Sequence, residues 1–236
     1  MIFRKSGCAA ALFLLAGNTA YVNASNWSGE AELGLVVTTG NTETQSVNAK
    51  TKVINERASW RHTFVATALS TADEIRTTSE KYFLSGQSDY KFSEFDYFFG
   101  IVSYEDDRFS GYEYQVSEVL GYGRRVIHEP SLTLDLEGGP GARQSKIIDG
   151  DSDNELIVRL GANLEWKISD SASFSEKLST EIGEDTTITK SITALKAQIV
   201  GSLAMKVSLT IKHTSEVPAN SKKTDSETAL TLVYSF

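Results

Sequence analysis

The sequence predicts an all-β fold, a transmembrane, antiparallel, up-and-down β-barrel of about 12 strands. Three observations predict it. Apolar and polar residues alternate with period two almost continuously from Asn26 to Phe236, the signature of strands with two unlike faces. The largest aromatic residues gather at one end of the strands rather than scattering along them. The chain also begins with an export leader and stops on a strand that ends in an aromatic residue.

The leader has a charged start at Arg4-Lys5, a short apolar run from Cys8 to Ala16 and an A-x-A-like site at Val22-Asn23-Ala24. The run is too short to cross a bilayer as a helix. Residues 1–24 are therefore read as a signal peptide, with Ala20 as a rival cut, and residues 25–236 as one barrel domain. Cys8 is the sole cysteine, and no apolar run precedes it as in a lipoprotein. The mature chain then has no thiol, which excludes a disulfide scaffold and a thiolate metal site. Losing Arg4 and Lys5 takes the net charge from −8 to −10, which argues against a nucleic-acid partner. A mean hydropathy of −0.22 excludes a helical membrane protein but not a barrel, whose strands are half polar.

Strand one, about 26–38, sets Trp27, Ala31, Leu33, Leu35 and Val37 against Glu30, Glu32 and Gly34. Gly40-Asn41-Thr42 makes a turn. Strand two, about 43–55, sets Val47, Ala49 and Val53 against Asn48, Lys50 and Lys52. Strands three (60–70), four (79–92) and five (97–106) follow. The fifth is apolar on both faces, so its register is open. Strand six, 113–127, fits worst, because Glu118 and Arg124 fall in its apolar series. Strand seven, 132–142, and strand eight, with Leu156 through Ile168 against Glu155, Arg159, Asn163 and Glu165, alternate cleanly. Strand nine places Glu176 among Phe174, Leu178 and Ile182. Strands ten to twelve alternate again, and the last runs Glu227–Phe236. Connections after even strands are short. Those after odd strands read as mostly longer and polar, the pattern of periplasmic turns and outer loops.

Period alone does not say which way the apolar face points, since a soluble barrel or sandwich alternates too. The tryptophans decide it. Trp27, Trp60 and Trp166 sit at strand ends on the short-turn side, level with Tyr90, Phe92, Tyr97, Phe99, Phe174, Tyr234 and Phe236. This is an aromatic girdle at a membrane–water interface. The expected location is the bacterial outer membrane, with its lipids and lipopolysaccharide as partners.

The terminal strand ending in Phe236 resembles the C-terminal signal that the barrel-assembly machinery recognises, so that machinery is an expected partner and Phe236 its signal. Further motifs are Thr38-Thr-Gly-Asn-Thr42, Tyr104-Glu-Asp-Asp-Arg-Phe-Ser110, Leu120-Gly-Tyr-Gly123, and Pro218 followed by Thr224-Asp225. In their order and spacing the chain resembles the salt-induced outer membrane protein family, the YdiY-like domain of unknown function, over most of its mature length. That resemblance implies an outer-membrane location. It supplies no catalytic residues and no substrate.

No enzyme is expected. His62, His128 and His213 lie on different strands or turns, without a lumenal Ser or Asp partner. Asp149-Gly-Asp-Ser-Asp-Asn-Glu155 imitates half a calcium loop, but Asn154 stands where Gly is needed and Leu160 where Glu is needed. The reading is a solvated acidic loop, with a weak divalent site as the alternative. No metal and no cofactor is assigned. Gly121-Tyr-Gly123 and Gly138-Gly-Pro-Gly141 match no phosphate loop and read as bulges or close packing.

The expected functional residues are lumenal charges. A loop of Gly40–Thr42 places Glu32 opposite Lys50 and Glu30 opposite Lys52, both inward. The turn Ser169–Ser171 pairs Arg159 with Glu181 and turns Glu176 outward opposite Leu164, at a bulge or near the periplasmic interface. Two functions remain open. One is a narrow passive channel for ions and small polar solutes, with room beside Gly34, Asn48, Gly161, Asn163, Ser208 and Thr210 and a slight cation preference from acidic outer loops. The other is a closed structural barrel.

Overall fold

The computed structural model describes residues 26–39, 44–72, 77–107, 110–148, 150–218 and 221–236. The expected signal peptide, residues 1–24, and the expected Gly40–Thr42 turn lie outside the described residues. Twelve strands follow one another: β1 Trp27–Thr39, β2 Thr44–Glu56, β3 Trp60–Ala72, β4 Thr77–Lys91, β5 Asp96–Asp107 and β6 Tyr112–His128, then β7 Leu132–Ile147, β8 Ser152–Lys167, β9 Ala172–Gly183, β10 Thr187–Val200, β11 Leu203–Thr214 and β12 Thr224–Ser235. Each pairs antiparallel with its sequence neighbours, and β1 pairs with β12, so the sheet is a closed barrel.

The apolar series points out. Leu33, Leu35, Leu84, Leu120, Leu156, Leu160 and Leu232 are all exposed, Leu156 to 83%. A belt of this kind has no place in water and matches a bilayer core. At the end where β1 begins and β12 ends, Trp27, Trp60, Tyr90, Trp166 and Tyr234 are exposed outward. Trp60 packs on Tyr90 with ring centroids 5.1 Å apart, and Trp166 and Phe174 are direct cross-strand partners. Tyr82, Tyr104 and Tyr114 supply outward rings toward the opposite, loop end, Tyr104 stacking on Tyr114 at 6.3 Å.

Two readings of the sequence need correction. Tyr97 and Phe99 are not in the girdle. They point inward and are 4% and 3% exposed, while Phe98 between them faces out. Their rings fit because their cross-strand partners are Gly123 and Gly121. A Cβ on Gly123 would lie 2.3 Å from the Tyr97 ring, and one on Gly121 2.7 Å from Phe99. Inward aromatic rings thus cover inward glycines of the next strand. The second correction concerns the loops. Strands β7, β8 and β10 run further than their patterns indicated, leaving only 148–151 and 184–186 between elements, and 215–223 is the one long connection. The acidic stretch at 149–155 is therefore mostly strand. Asp153 pairs with Ser145 and Glu155 with Arg143.

Strand six is irregular at both ends, with register shifts at Tyr112/Tyr114 and Arg125/Ile127. Glu118 and Arg124 do face outward. Arg124 sits at the terminal end on Asp96, 2.9 Å away. Glu176 also faces outward, opposite Leu164, but no bulge interrupts β9. Its carboxylate instead accepts hydrogen bonds from Ser191 at 2.7 Å and Thr193 at 2.5 Å. The neighbouring strand carries the hydroxyls that make an outward acid tolerable.

The seam closes on Phe236. Its N–H donates to the Gly29 carbonyl at 3.0 Å, and its own carbonyl accepts from Gly29 N–H at 2.9 Å. The ring lies where a Gly29 side chain would be, 2.4 Å from the Cβ position. Deleting Phe236 or replacing it with Ser should lower the heat-modifiable, folded fraction in cells, and an unchanged fraction would contradict this. Gly123→Leu should destabilise the refolded barrel by about 1–3 kcal/mol through overpacking against Tyr97, measured as a shift in the urea midpoint.

Candidate functional site

The inward face is where chemistry is concentrated. Strands β10 and β11 present only lysines among inward charges. Lys190 is the direct partner of Lys212, and Lys196 of Lys206. Like charges directly opposite are unfavourable, so acids must come from elsewhere. They come from β5 and β1.

Glu105 of β5 serves the first pair. Its carboxylate lies 2.6 Å from Lys212 Nζ, 3.8 Å from Lys190 and 3.9 Å from Lys81. Asp107 takes Lys81 at 3.1 Å. Strands β5 and β11 are six places apart around a ring of twelve, so the Glu105–Lys212 pair crosses the barrel along a diameter. Lys190 of β10 reaches the ring of Phe83 on β4, also six places away, at 4.6 Å. Lys212 also donates to Gln115 Oε1 at 3.2 Å. Side chains therefore span the lumen at this level, and Glu105 and Lys212 are each 11% exposed.

Glu30 and Glu32 of β1 serve the second pair. Lys196 donates to Glu30 at 2.6 Å and Lys206 to Glu32 at 2.5 Å. Glu32 is partnered in register by Lys50, at 3.8 Å, and Glu30 by Lys52. The register thus sets Glu30, Glu32, Lys50 and Lys52 inward as cross-strand pairs. The tightest bonds of the two acids nonetheless go to lysines two and three strands away.

Two further networks fill the lumen. Toward the loop end Arg143, 2% exposed, binds Glu155, Glu181 at 3.5 Å and the Thr186 carbonyl at 2.5 Å. Arg159 is opposite Glu181 in register and meets it at 3.1 Å. Toward the terminal end Arg61 binds Asp89 at 2.6 Å, Arg125 grips Asp135 with two bonds, and Gln87 and Tyr97 both donate to Glu137. Apolar side chains fill part of what is left. Tyr97, Phe99, Val119 and Ile157 form one buried cluster, and Val36, Leu69 and Ala229 another. Gly34 and Asn48 do not open a path. A Cβ on Gly34 would meet the Leu230 carbonyl at 2.2 Å, and Asn48 is 7% exposed.

The sequence reading missed Glu105, Lys212, Lys190, Lys196 and Lys206. Their inward direction was legible from parity, but pairing across the lumen leaves no local signal. The histidines stay apart. His62 meets Ser88 at 2.9 Å on the outward face, His213 meets Thr224 at 2.8 Å, and His128 lies edge-on to Phe95. Among the described residues no group of three or more His, Cys, Asp and Glu could hold a metal ion. Glu105→Ala should cost about 3–5 kcal/mol, because three lysines lose the acid between them. Glu118→Ala, which removes an acid from the outward face, should cost nothing. Urea unfolding of the two refolded variants checks both values.

Known proteins with this architecture are outer-membrane barrels. The NanC porin superposes with a TM-score of 0.59 at 7% identity, over 86% of this chain and 98% of that one. The translocator domain of the autotransporter NalP from Neisseria meningitidis gives 0.54 at 11% identity, over 90% and 89%. The KdgM porin gives 0.50 at 11%, over 88% and 99%. At these identities the likeness is one of fold. Sequence similarity is more direct: the chain is 30% identical over 210 residues to the uncharacterized protein YdiY of Escherichia coli (strain K12), covering 89% of this chain and 83% of that one. Residues 31–236 match the family model described as a protein of unknown function, DUF481, and the chain belongs to that family.

Proposed function

We propose that this protein is a narrow passive channel of the bacterial outer membrane, passing ions and small polar solutes without catalysis. The observation that carries the reading is a closed barrel whose lumen is lined by charges and crossed by one diametrical ion pair, Glu105–Lys212. Lumenal lysines such as Lys196 and Lys50 keep 32% and 28% of their side-chain exposure, so water reaches the interior between the struts. The apolar outer belt and the porin-type fold support the membrane location. The terminal strand ending at Phe236 supports delivery by the barrel-assembly machinery, with lipid and lipopolysaccharide around the outer face. The salt-induced character of the family that the sequence resembles fits a channel used under envelope stress.

The slight cation preference expected from the sequence stays part of this reading. Besides Lys177, Lys196 and Lys206 the inward face carries Glu105, Asp107, Asp89, Asp135, Glu137 and Glu155, so charges of both signs offset one another along the bore and the acidic residues at the mouth give the sign.

A closed structural barrel is the second reading. The buried cluster of Tyr97, Phe99, Val119 and Ile157 favours it. Planar-bilayer recording separates the two. The wild type should give small unitary steps, and the double variant Glu105→Gln with Lys212→Gln should give steps several times larger. Folded protein that passes no current in either form would leave the structural reading.

A further inference from the structure

We propose that the β11–β12 connection is a strap that closes the loop-end mouth of the barrel by docking on the turn between β5 and β6, and that its release regulates passage. The inference deepens the channel reading and rests on it for something to regulate.

Two runs that stand out in the sequence meet here, the one that ends at Ser110 and the one that begins at Pro218. In a ring of twelve strands the β5–β6 turn and the β11–β12 connection lie six places apart, on opposite sides of the mouth. They touch nonetheless. A Cβ on Gly111 would lie 2.7 Å from Ser221 Oγ, and 3.1 and 3.2 Å from Cγ and Cβ of the Pro218 ring. Contact at this range requires the connection to cross the opening. At up to ~3.3 Å per residue, the long connection 215–223 can reach over and return.

Both partners are braced. Ser110 closes its turn, its N–H at 3.1 Å and its hydroxyl at 2.8 Å both donating to the Asp107 carbonyl. The Gly111 carbonyl accepts from the N–H of Ile148, just past β7, at 3.2 Å. Gly111 has a φ of 84°, which glycine adopts without strain, and its missing side chain leaves the seat that Pro218 and Ser221 occupy. On the strap, Ser221 N–H donates to the Pro218 carbonyl at 3.1 Å, which ties the two contacting residues together. The stem is fixed to β10. Ser215 N–H donates to the Thr187 carbonyl, and Thr187 N–H to the Ser215 hydroxyl, each at 2.9 Å.

The strap lies over the strut. Lys212, near the end of β11, reaches Glu105 at 2.6 Å and Gln115 at 3.2 Å across the same diameter. Two layers therefore cross the bore in one direction, side chains within the lumen and the strap beyond the strand ends. A solute entering from the loop end meets the strap first.

The test locks the contact. Gly111→Cys with Ser221→Cys, in a Cys8→Ser background that has no other cysteine, should bring two sulfurs close enough to bond. Non-reducing gels of the folded, heat-modifiable protein should show the cross-link after oxidation. In planar bilayers the oxidised barrel should pass several-fold less current than the same barrel after a reductant is added. Pro218→Gly with Ser221→Gly, which leaves Gly111 untouched, should conduct several-fold more than wild type, and it carries the test if the double cysteine variant fails to fold. Folded protein that does not cross-link would overturn the docked strap. Equal current from locked and reduced barrels, or from wild type and the Pro218→Gly, Ser221→Gly variant, would overturn the gate. Silence in all of these and in the Glu105→Gln, Lys212→Gln variant would remove the channel and the gate with it, while the cross-link would still report whether the strap is docked.

Discussion

Backbone satisfaction in an apolar surrounding is the constraint from which the rest follows. A strand in a bilayer has no water for its N–H and C=O groups, so the sheet must close on itself. Closure occurs where β1 meets β12, with ten residue pairs from Glu30–Ser235 to Thr39–Ser226 and the last backbone bonds between Gly29 and Phe236. Closure then assigns the faces. One parity meets lipid and must be apolar. The other is confined in a bore too narrow for every charge to be hydrated alone. The ion pairs of the interior are the answer to that confinement, not an addition to it.

Parity explains how much of the fold could be read in the chain. Alternation needs only neighbours, so strand number, outward face and the registers across tight turns were legible. Glu32 with Lys50 and Arg159 with Glu181 follow from loop length alone. Legibility failed where the cause was not local. Tyr97 and Phe99 read as girdle because β5 is apolar on both faces. What seats them inward is the pair Gly123 and Gly121 on another strand. The loop lengths failed for a related reason. Polar residues such as Asp153 and Asn154 look like loop, yet they sit in β8 because β7 offers them a pairing edge. Glu176 faces outward as expected and lies two residues from the Trp166–Phe174 pair, near the interface; the bulge offered as the alternative is absent, and the hydroxyls that bind the carboxylate lie on β10, out of local view.

The candidate site was half legible for the same reason. Glu30, Glu32, Lys50 and Lys52 were found as adjacent pairs. The acids' tightest bonds, however, go to Lys196 and Lys206, more than 150 residues along the chain. Glu105 was noticed only as part of an acidic run in a recurring motif. Its role depends on β11 lying diametrically opposite, a fact of the closed ring and not of any segment. In a barrel the electrostatic neighbours of a residue are set by circumference, and sequence distance carries no information about them.

The same-sign pairs of β10 and β11 have a consequence for assembly kinetics. As an isolated hairpin this segment aligns Lys190 with Lys212 and Lys196 with Lys206, so its native register is electrostatically the wrong one until the ring exists. The repulsion is lifted only when β1 and β5 arrive with Glu30, Glu32 and Glu105. Each such pair costs roughly 0.2–1 kcal/mol, so the β10–β11 hairpin is less stable alone than within the ring. The charge pattern makes the stability of this part of the wall depend on strands elsewhere in the ring, which adds to the cooperativity of closure.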